Sequence, residues 1–221
     1  MRNPFLFLTI IFLTLTGCNN GKRNDEVSID NPETKLGWKL GAGTYTFNRF
    51  TFLQSLDKID SCNLMYVECF PNQLIGEGVE GTMDYHMDTL TQKEILKKLG
   101  EKGMKIIAYG VITPNNDLEW RKLFDFSKEM GIQTITSEPD EKDLTFISAL
   151  CDEYKINVVI HNHPYPKHYW SPDTVLAALK GRSNRLRACA DIGHWVRSDL
   201  NAVACLKKTR RACITCAHER P

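Results

Sequence analysis

Neither sign of charge is in surplus: 28 basic residues stand against 27 acidic ones among 221, a net charge of +1. Without a basic field the chain has no default attraction for nucleic acid or an acidic membrane surface, and neither is expected as a partner. Long hydrophobic runs are missing too. The most apolar stretch, Phe5 to Leu15, falls well short of the roughly 20 residues that cross a bilayer. No glycine-rich phosphate-binding turn follows the first strand-like segment, which removes the usual mark of a dinucleotide fold. Eight cysteines are present, yet no paired spacing marks a disulfide framework through the body of the chain. Cys62, Cys69, Cys151 and Cys189 are therefore expected as small core residues.

What the N-terminus does have is Arg2, the apolar run, and then Leu15-Thr16-Gly17-Cys18. A short apolar core after a positive charge fits a signal peptide, and the last four residues look like a lipobox. Residues 1–17 are expected as a lipoprotein signal peptide with Cys18 lipidated. Residues 18–35, polar and without apolar periodicity, are expected as a flexible tether. That placement puts the protein at the cell envelope, held to a membrane by its lipid anchor alone.

From Trp38 onward short apolar runs alternate with helical patterns. Candidate strands are Lys39–Phe47, Leu64–Phe70, Lys105–Gly110, Gln133–Ser137, Asn157–His161 and Leu186–Asp191. Between them, one helix is expected from a Thr91 cap to Gly103, burying Ile95, Leu96 and Leu99. Another runs from about Asp117 to Gly131 with Trp120, Leu123 and Phe124 on one face. A third carries Leu144, Ile147, Cys151 and Tyr154 at helical spacing. Such alternation implies parallel strands joined by right-handed crossovers. A doubly wound open sheet would alternate in the same way. The chemistry-bearing residues favour a (β/α)8 TIM-type barrel instead, because they sit at the carboxyl ends of several separate strands. Glu68 follows Leu64–Val67, Glu138 follows Ile135–Ser137, His161 and His163 follow Val158–Ile160, and Asp191 with His194 follows Ala188–Ala190.

Asp191-Ile192-Gly193-His194-Trp195 is the sharpest of these motifs. A carboxylate and an imidazole three residues apart at a strand end can face one pocket. Joined by Glu138 and His161-Asn162-His163, they offer oxygen and nitrogen donors that suit Mn²⁺, Co²⁺, Mg²⁺ or Zn²⁺.

Ser137-Glu138-Pro139, His161-Asn162-His163-Pro164 and Ala190-Asp191-Ile192-Gly193-His194-Trp195 resemble the xylose-isomerase-like superfamily, and within it the sugar phosphate isomerase/epimerase branch. The resemblance covers roughly residues 35–206. It implies a divalent metal held by acidic and histidine side chains from late strands, and a small-molecule sugar substrate whose proton beside a carbonyl is moved. Glu138, His163 and Asp191 are the implied metal ligands, with His161 and His163 standing where some relatives place a ligand one strand later. Glu138, His194 and Glu68 are the implied catalytic groups. His161, His194, Arg197 and Trp195 are the implied substrate contacts, and Trp170 is a further aromatic that could wall the pocket. A lyase or hydratase acting on keto-glycosides would use much the same residues. A non-catalytic envelope lipoprotein would use none of them. Abasic-site endonucleases share the superfamily fold, but the missing basic surface argues against them.

The expected barrel is incomplete. About six βα units are legible over residues 36–208, and Val203–Lys208 reads as a helix. Relatives continue with a seventh strand bearing a metal-ligand histidine. Here residues 209–221 read as an atypical tail without strand alternation, best explained by a frame-shifted or prematurely ended sequence that could leave the chain inactive. Its Cys213-x-x-Cys216 has the wrong distance to His218 for haem attachment, no second ligand pair for zinc, and no thioredoxin-like context for a redox pair.

Overall fold

The computed structural model describes residues 32–217. The expected signal peptide, the lipidation at Cys18, most of the tether, and His218 lie outside the described residues.

The elements follow one another in a simple rhythm. A short turn of helix, α1 (Pro32–Lys35), precedes β1 (Gly41–Gly43), a one-turn 3-10 segment (Thr44–Phe47) and α2 (Phe52–Ser61). Next come β2 (Tyr66–Cys69), a hairpin of β3 (Leu74–Gly76) and β4 (Val79–Thr82), and α3 (Thr89–Glu101). The units β5 (Lys105–Gly110) with α4 (Asp117–Glu129), β6 (Thr134–Ser137) with α5 (Leu144–Tyr154), and β7 (Asn157–Ile160) with α6 (Pro172–Leu179) continue the series. It ends with β8 (Leu186–Asp191), α7 (Ile192–Arg197), α8 (Ala202–Thr209) and β9 (Cys213–Ala217).

Seven strands form one parallel sheet in the order β1-β2-β5-β6-β7-β8-β9. The order is chain order throughout, with only the β3–β4 hairpin set aside. A doubly wound sheet must reverse direction at a switch point, and this one never does. Single winding of that kind is the topology of a β/α barrel, here a curled part of one, with β1 and β9 at its edges.

Helix ends are set by local chemistry. Asp88 caps α3, its carboxylate accepting from the Leu90 and Thr91 amides at 2.8 and 2.9 Å, so the cap lies three residues before the expected Thr91. Asn116 caps α4 by accepting from the Glu119 amide. Thr51 and Gln54 form a reciprocal capping box at the start of α2, a helix not among those expected above. As expected, α4 buries Trp120, Leu123 and Phe124, and α5 buries Leu144, Ile147 and Cys151.

The period-2 alternation of each strand separates two layers. On β2, β6, β7 and β8, the side chains Val67, Cys69, Ile135, Val158, Ile160, Leu186 and Ala188 join the main apolar cluster with the helices. The alternate positions, Glu68, Thr136, Val159, Cys189 and Asp191, therefore face the opposite, interior side. Gly110 on β5 marks how tight that side is. A Cβ there would stand 2.2 Å from the Thr136 carbonyl oxygen, and across this gap Thr136 Oγ1 donates to Glu68 Oε1 at 2.6 Å.

Two expectations are corrected here. Residues 213–217 are a strand, paired in parallel with β8 and level with it as far as Asp191 and Ala217. Its burial alternates, but the sequence hides this because the one large apolar residue, Ile214, stands at an exposed position. Cys62 is exposed, whereas Cys69, Cys151 and Cys189 are buried as expected. Cys62 follows the last turn of α2 instead of lying on its apolar face.

Candidate active site

The fold delivers the carboxyl ends of β6, β7 and β8 to one rim. Asn162 fixes the spacing there. Its side chain donates to the Asp191 carbonyl at 2.9 Å and accepts from the Asp191 amide at 2.7 Å. One fully buried amide thus replaces a rung of the ladder just where β7 and β8 diverge. Sequence reasoning passed over Asn162, although a polar residue between two candidate ligands is the available signal.

Asp191 is fully buried and ends β8. Its Oδ1 accepts from the His194 amide at 2.9 Å and so caps α7. Its Oδ2 has no hydrogen-bond partner, yet it stands 3.7 Å from His161 Nε2 and 4.0 Å from His194 Nε2. Burial pushes the Asp191 pKa up, but the contacts with His161 and the His194 amide outweigh it and hold the carboxyl below its ordinary value. A buried carboxylate oxygen aimed at two ring nitrogens and bonded to neither is a place for a cation or a donating substrate.

His161, His163 and His194 form a close trio. Their ring centroids lie 4.7, 4.9 and 5.5 Å apart, and each offers a nitrogen within 4.8 Å of the other two. Hydrogen-bond chemistry then divides their roles. Arg197 can only donate, so at 2.9 Å from His194 Nδ1 it makes that nitrogen an acceptor. Neutral His194 must then carry its proton on Nε2, which suits it to donate to an oxygen and not to ligate a cation. His163 is the opposite case. Its Nδ1 lies 2.5 Å from Glu138 Oε1, and a carboxylate accepting Nδ1–H makes Nε2 the nitrogen that carries the lone pair a metal would need. Burial raises the Glu138 pKa, but the His163 hydrogen bond, helped by Lys167, holds it below the ordinary value. Glu138 is therefore ionised at neutral pH.

The structure thus brings Glu138, His161, His163, Asp191, His194 and Arg197 together. Glu68 reaches the same interior from β2 but is engaged by Thr136. Trp195 is a correction. It is buried in a satellite cluster with Ala190 and Cys205, so its indole is taken up in packing β8 against the following helices. Trp170 packs edge-on against Tyr165, ring centroids 5.3 Å apart. A cavity of about 320 Å³ opens beside Glu138, lined by Asp140, Glu141, Lys167, His168 and Tyr169 among others. The sequence reading had assigned none of these five a role.

No family profile and no curated protein sequence matches the chain. Solved structures do. An uncharacterised protein from Parabacteroides distasonis is 32% identical, with a TM-score of 0.72 over 81% of this chain and 73% of that one. A D-psicose 3-epimerase solved with D-fructose is 12% identical, with a TM-score of 0.64 over 81% and 73%. A xylose isomerase-like TIM barrel protein from Mycobacterium smegmatis, in complex with magnesium, is 9% identical, with a TM-score of 0.61 over 79% and 72%. The chain shares the fold of the xylose isomerase-like TIM barrels. Solved structures of this fold that are named for an activity include a D-psicose 3-epimerase and a xylose isomerase domain protein, and the rim just described is the place where a barrel of this type keeps its chemistry.

Proposed function

We propose that this protein is a metal-dependent isomerase or epimerase that moves a proton beside the carbonyl of a sugar or sugar derivative. One observation carries the reading. Asp191 Oδ2 is buried without a hydrogen-bond partner and faces two imidazoles at the mouth of the barrel.

In this reading His163, His161 and Asp191 hold the cation, and Glu138 acts on it through His163 by fixing the ring and its tautomer. Two imidazoles and a carboxylate favour Zn²⁺, Co²⁺ or Mn²⁺ over Mg²⁺. Bound there, a divalent cation supplies charge stabilisation to the oxygen that becomes negative as the neighbouring carbon loses its proton. The residues do the rest. His194, its Nδ1 held by Arg197, presents an Nε2 proton to a substrate hydroxyl or carbonyl. Glu138 and Glu68 are carboxylates on the same interior face, one to take the proton and one to return it. The cavity beside Glu138 receives the remainder of the sugar.

Envelope placement belongs to the same proposal, through a lipid on Cys18. Metabolic labelling with a fatty acid, lost in Cys18→Ala, tests it.

The activity is tested by metal analysis of the purified protein and by incubating it with ketoses in deuterated water. The expected result is a bound divalent ion and deuterium at the carbon beside the carbonyl. Asp191→Asn keeps a cap for α7 but removes the charge, and is expected to abolish both. A folded protein with no bound ion, or exchange that Asp191→Asn leaves untouched, overturns the proposal. Loss of water or of an aglycone in place of exchange assigns the site to the lyase alternative.

A further inference from the structure

The edge strand β9 carries a feature that the candidate active site does not use. Cys213 and Cys216 are three residues apart, and in a regular strand such residues point to opposite faces. Here they do not. The register runs Ala188 with Cys213, then Cys189 with Thr215, then Ala190 with Cys216. Ile214 is therefore the extra residue of a β-bulge, and it is exposed. The bulge shifts Cys216 by one place, so the two cysteines stand level with Ala188 and Ala190, two positions apart on β8 and on one face of the sheet. Their sulfurs are 3.6 Å apart. Cys213 is half-buried and Cys216 exposed. Alanine at both facing positions leaves the sulfurs room.

We propose that Cys213 and Cys216 form a thiol–disulfide exchange site, which closes to an intrachain disulfide on reaction with a small-molecule disulfide. The exposed Cys216 thiolate attacks one sulfur of the reagent, forming a mixed disulfide and expelling one thiolate. Cys213 then attacks the Cys216 sulfur, the mixed disulfide breaks, and a second thiol leaves. Two protein thiols are oxidised and one disulfide reagent is reduced to two thiols, with the protons of both cysteines passing to solvent and leaving groups. The order of attack has electrostatic support. The Cys213 hydrogen bond outweighs burial and brings the Cys216 pKa down to about 7, while the same contact, added to burial, pushes Cys213 far up. A thiol with a pKa near ambient pH is the best placed to attack.

Cys62 is exposed and in no disulfide, so it serves as an internal standard. Full-length protein is treated with oxidised glutathione, the remaining thiols are trapped with an alkylating agent, and the peptides are mapped by mass. Wild type is expected to lose two hydrogens through a Cys213–Cys216 cross-link, and Cys62 to gain a single glutathionyl group. Cys213→Ser is expected to stop at a glutathione adduct on Cys216. Cys216→Ser is expected to leave Cys213 unreacted. A wild-type protein that keeps a stable adduct on Cys216, or joins either cysteine to a third, overturns the proposal. The wild-type map decides this even if a serine variant fails to fold.

Discussion

At the scale of single residues, the site is a set of proton assignments. Arg197 dictates that His194 accepts on Nδ1, and Glu138 dictates that His163 donates from Nδ1. Glu138→Gln should therefore keep the fold while loosening the imidazole, lowering metal affinity by about 10–100-fold, as read by titration of the apoprotein with Zn²⁺. Asn162→Ala strips both hydrogen bonds from the Asp191 backbone. Each buried polar group left unsatisfied costs about 1–3 kcal/mol, and a drop of that order in the free energy of urea unfolding is expected. Most of these residues were legible beforehand. Glu138, His161, His163, Asp191 and His194 were each found from a polar side chain ending an apolar run. Their division of labour was not legible, since it depends on which nitrogen meets which neighbour. Trp195 shows the converse: a ring beside the sharpest motif looked like a pocket wall, and one turn of helix carried it into the core.

At the scale of elements, the connection from the β3–β4 hairpin to α3 is tied to α4 through one carboxylate. Glu119 accepts from Lys122 at 2.7 Å, from Tyr85 at 2.8 Å and from His86 at 2.6 Å, and Asp84 holds the other His86 nitrogen at 2.8 Å. Lys122, then Tyr85 and His86, bring Glu119 down to about 2. Desolvation lowers the His86 pKa, but the Asp84 and Glu119 contacts outweigh it and raise the value above that of an ordinary histidine. The sign follows from the folded histidine binding its proton more tightly than the unfolded one. Stability from His86 is complete below the unfolded pKa and is lost as pH rises through the folded pKa. His86→Ala should thus lower the urea midpoint at pH about 5.5 and much less at pH about 9, while the Glu119 contribution persists until strongly acidic pH. Element boundaries were legible where capping chemistry is local, as at α4 and α5. The hairpin was not, because β3 and β4 are short and pair only with each other. Nor was β9, because its one large apolar residue, Ile214, is exposed and its other side chains are too small to mark a face.

At the scale of the whole molecule, the sheet has strong middle strands and two edges. Strands β5 to β8 are paired on both sides, whereas β1 and β9 each have one partner among the described residues. Backbone amides of Ile135, Val158, Val159 and Ala188 should consequently exchange with deuterium last, and those of β1 and β9 first; slower exchange at either edge would show a further partner there. The barrel class was readable because alternation of period 2 and period 3.6 repeats along the chain, and because acidic and histidine residues end several separate strands. Strand order has one more outcome. Since neighbours in space are neighbours in time of synthesis, a nascent polypeptide leaving the ribosome presents Glu68 first, then Glu138, then the paired histidines, with Asp191 and His194 last. Half-made chains hold His161 and His163 without the buried acid that faces them, so the rim is complete only once the sixth strand of the sheet has been made.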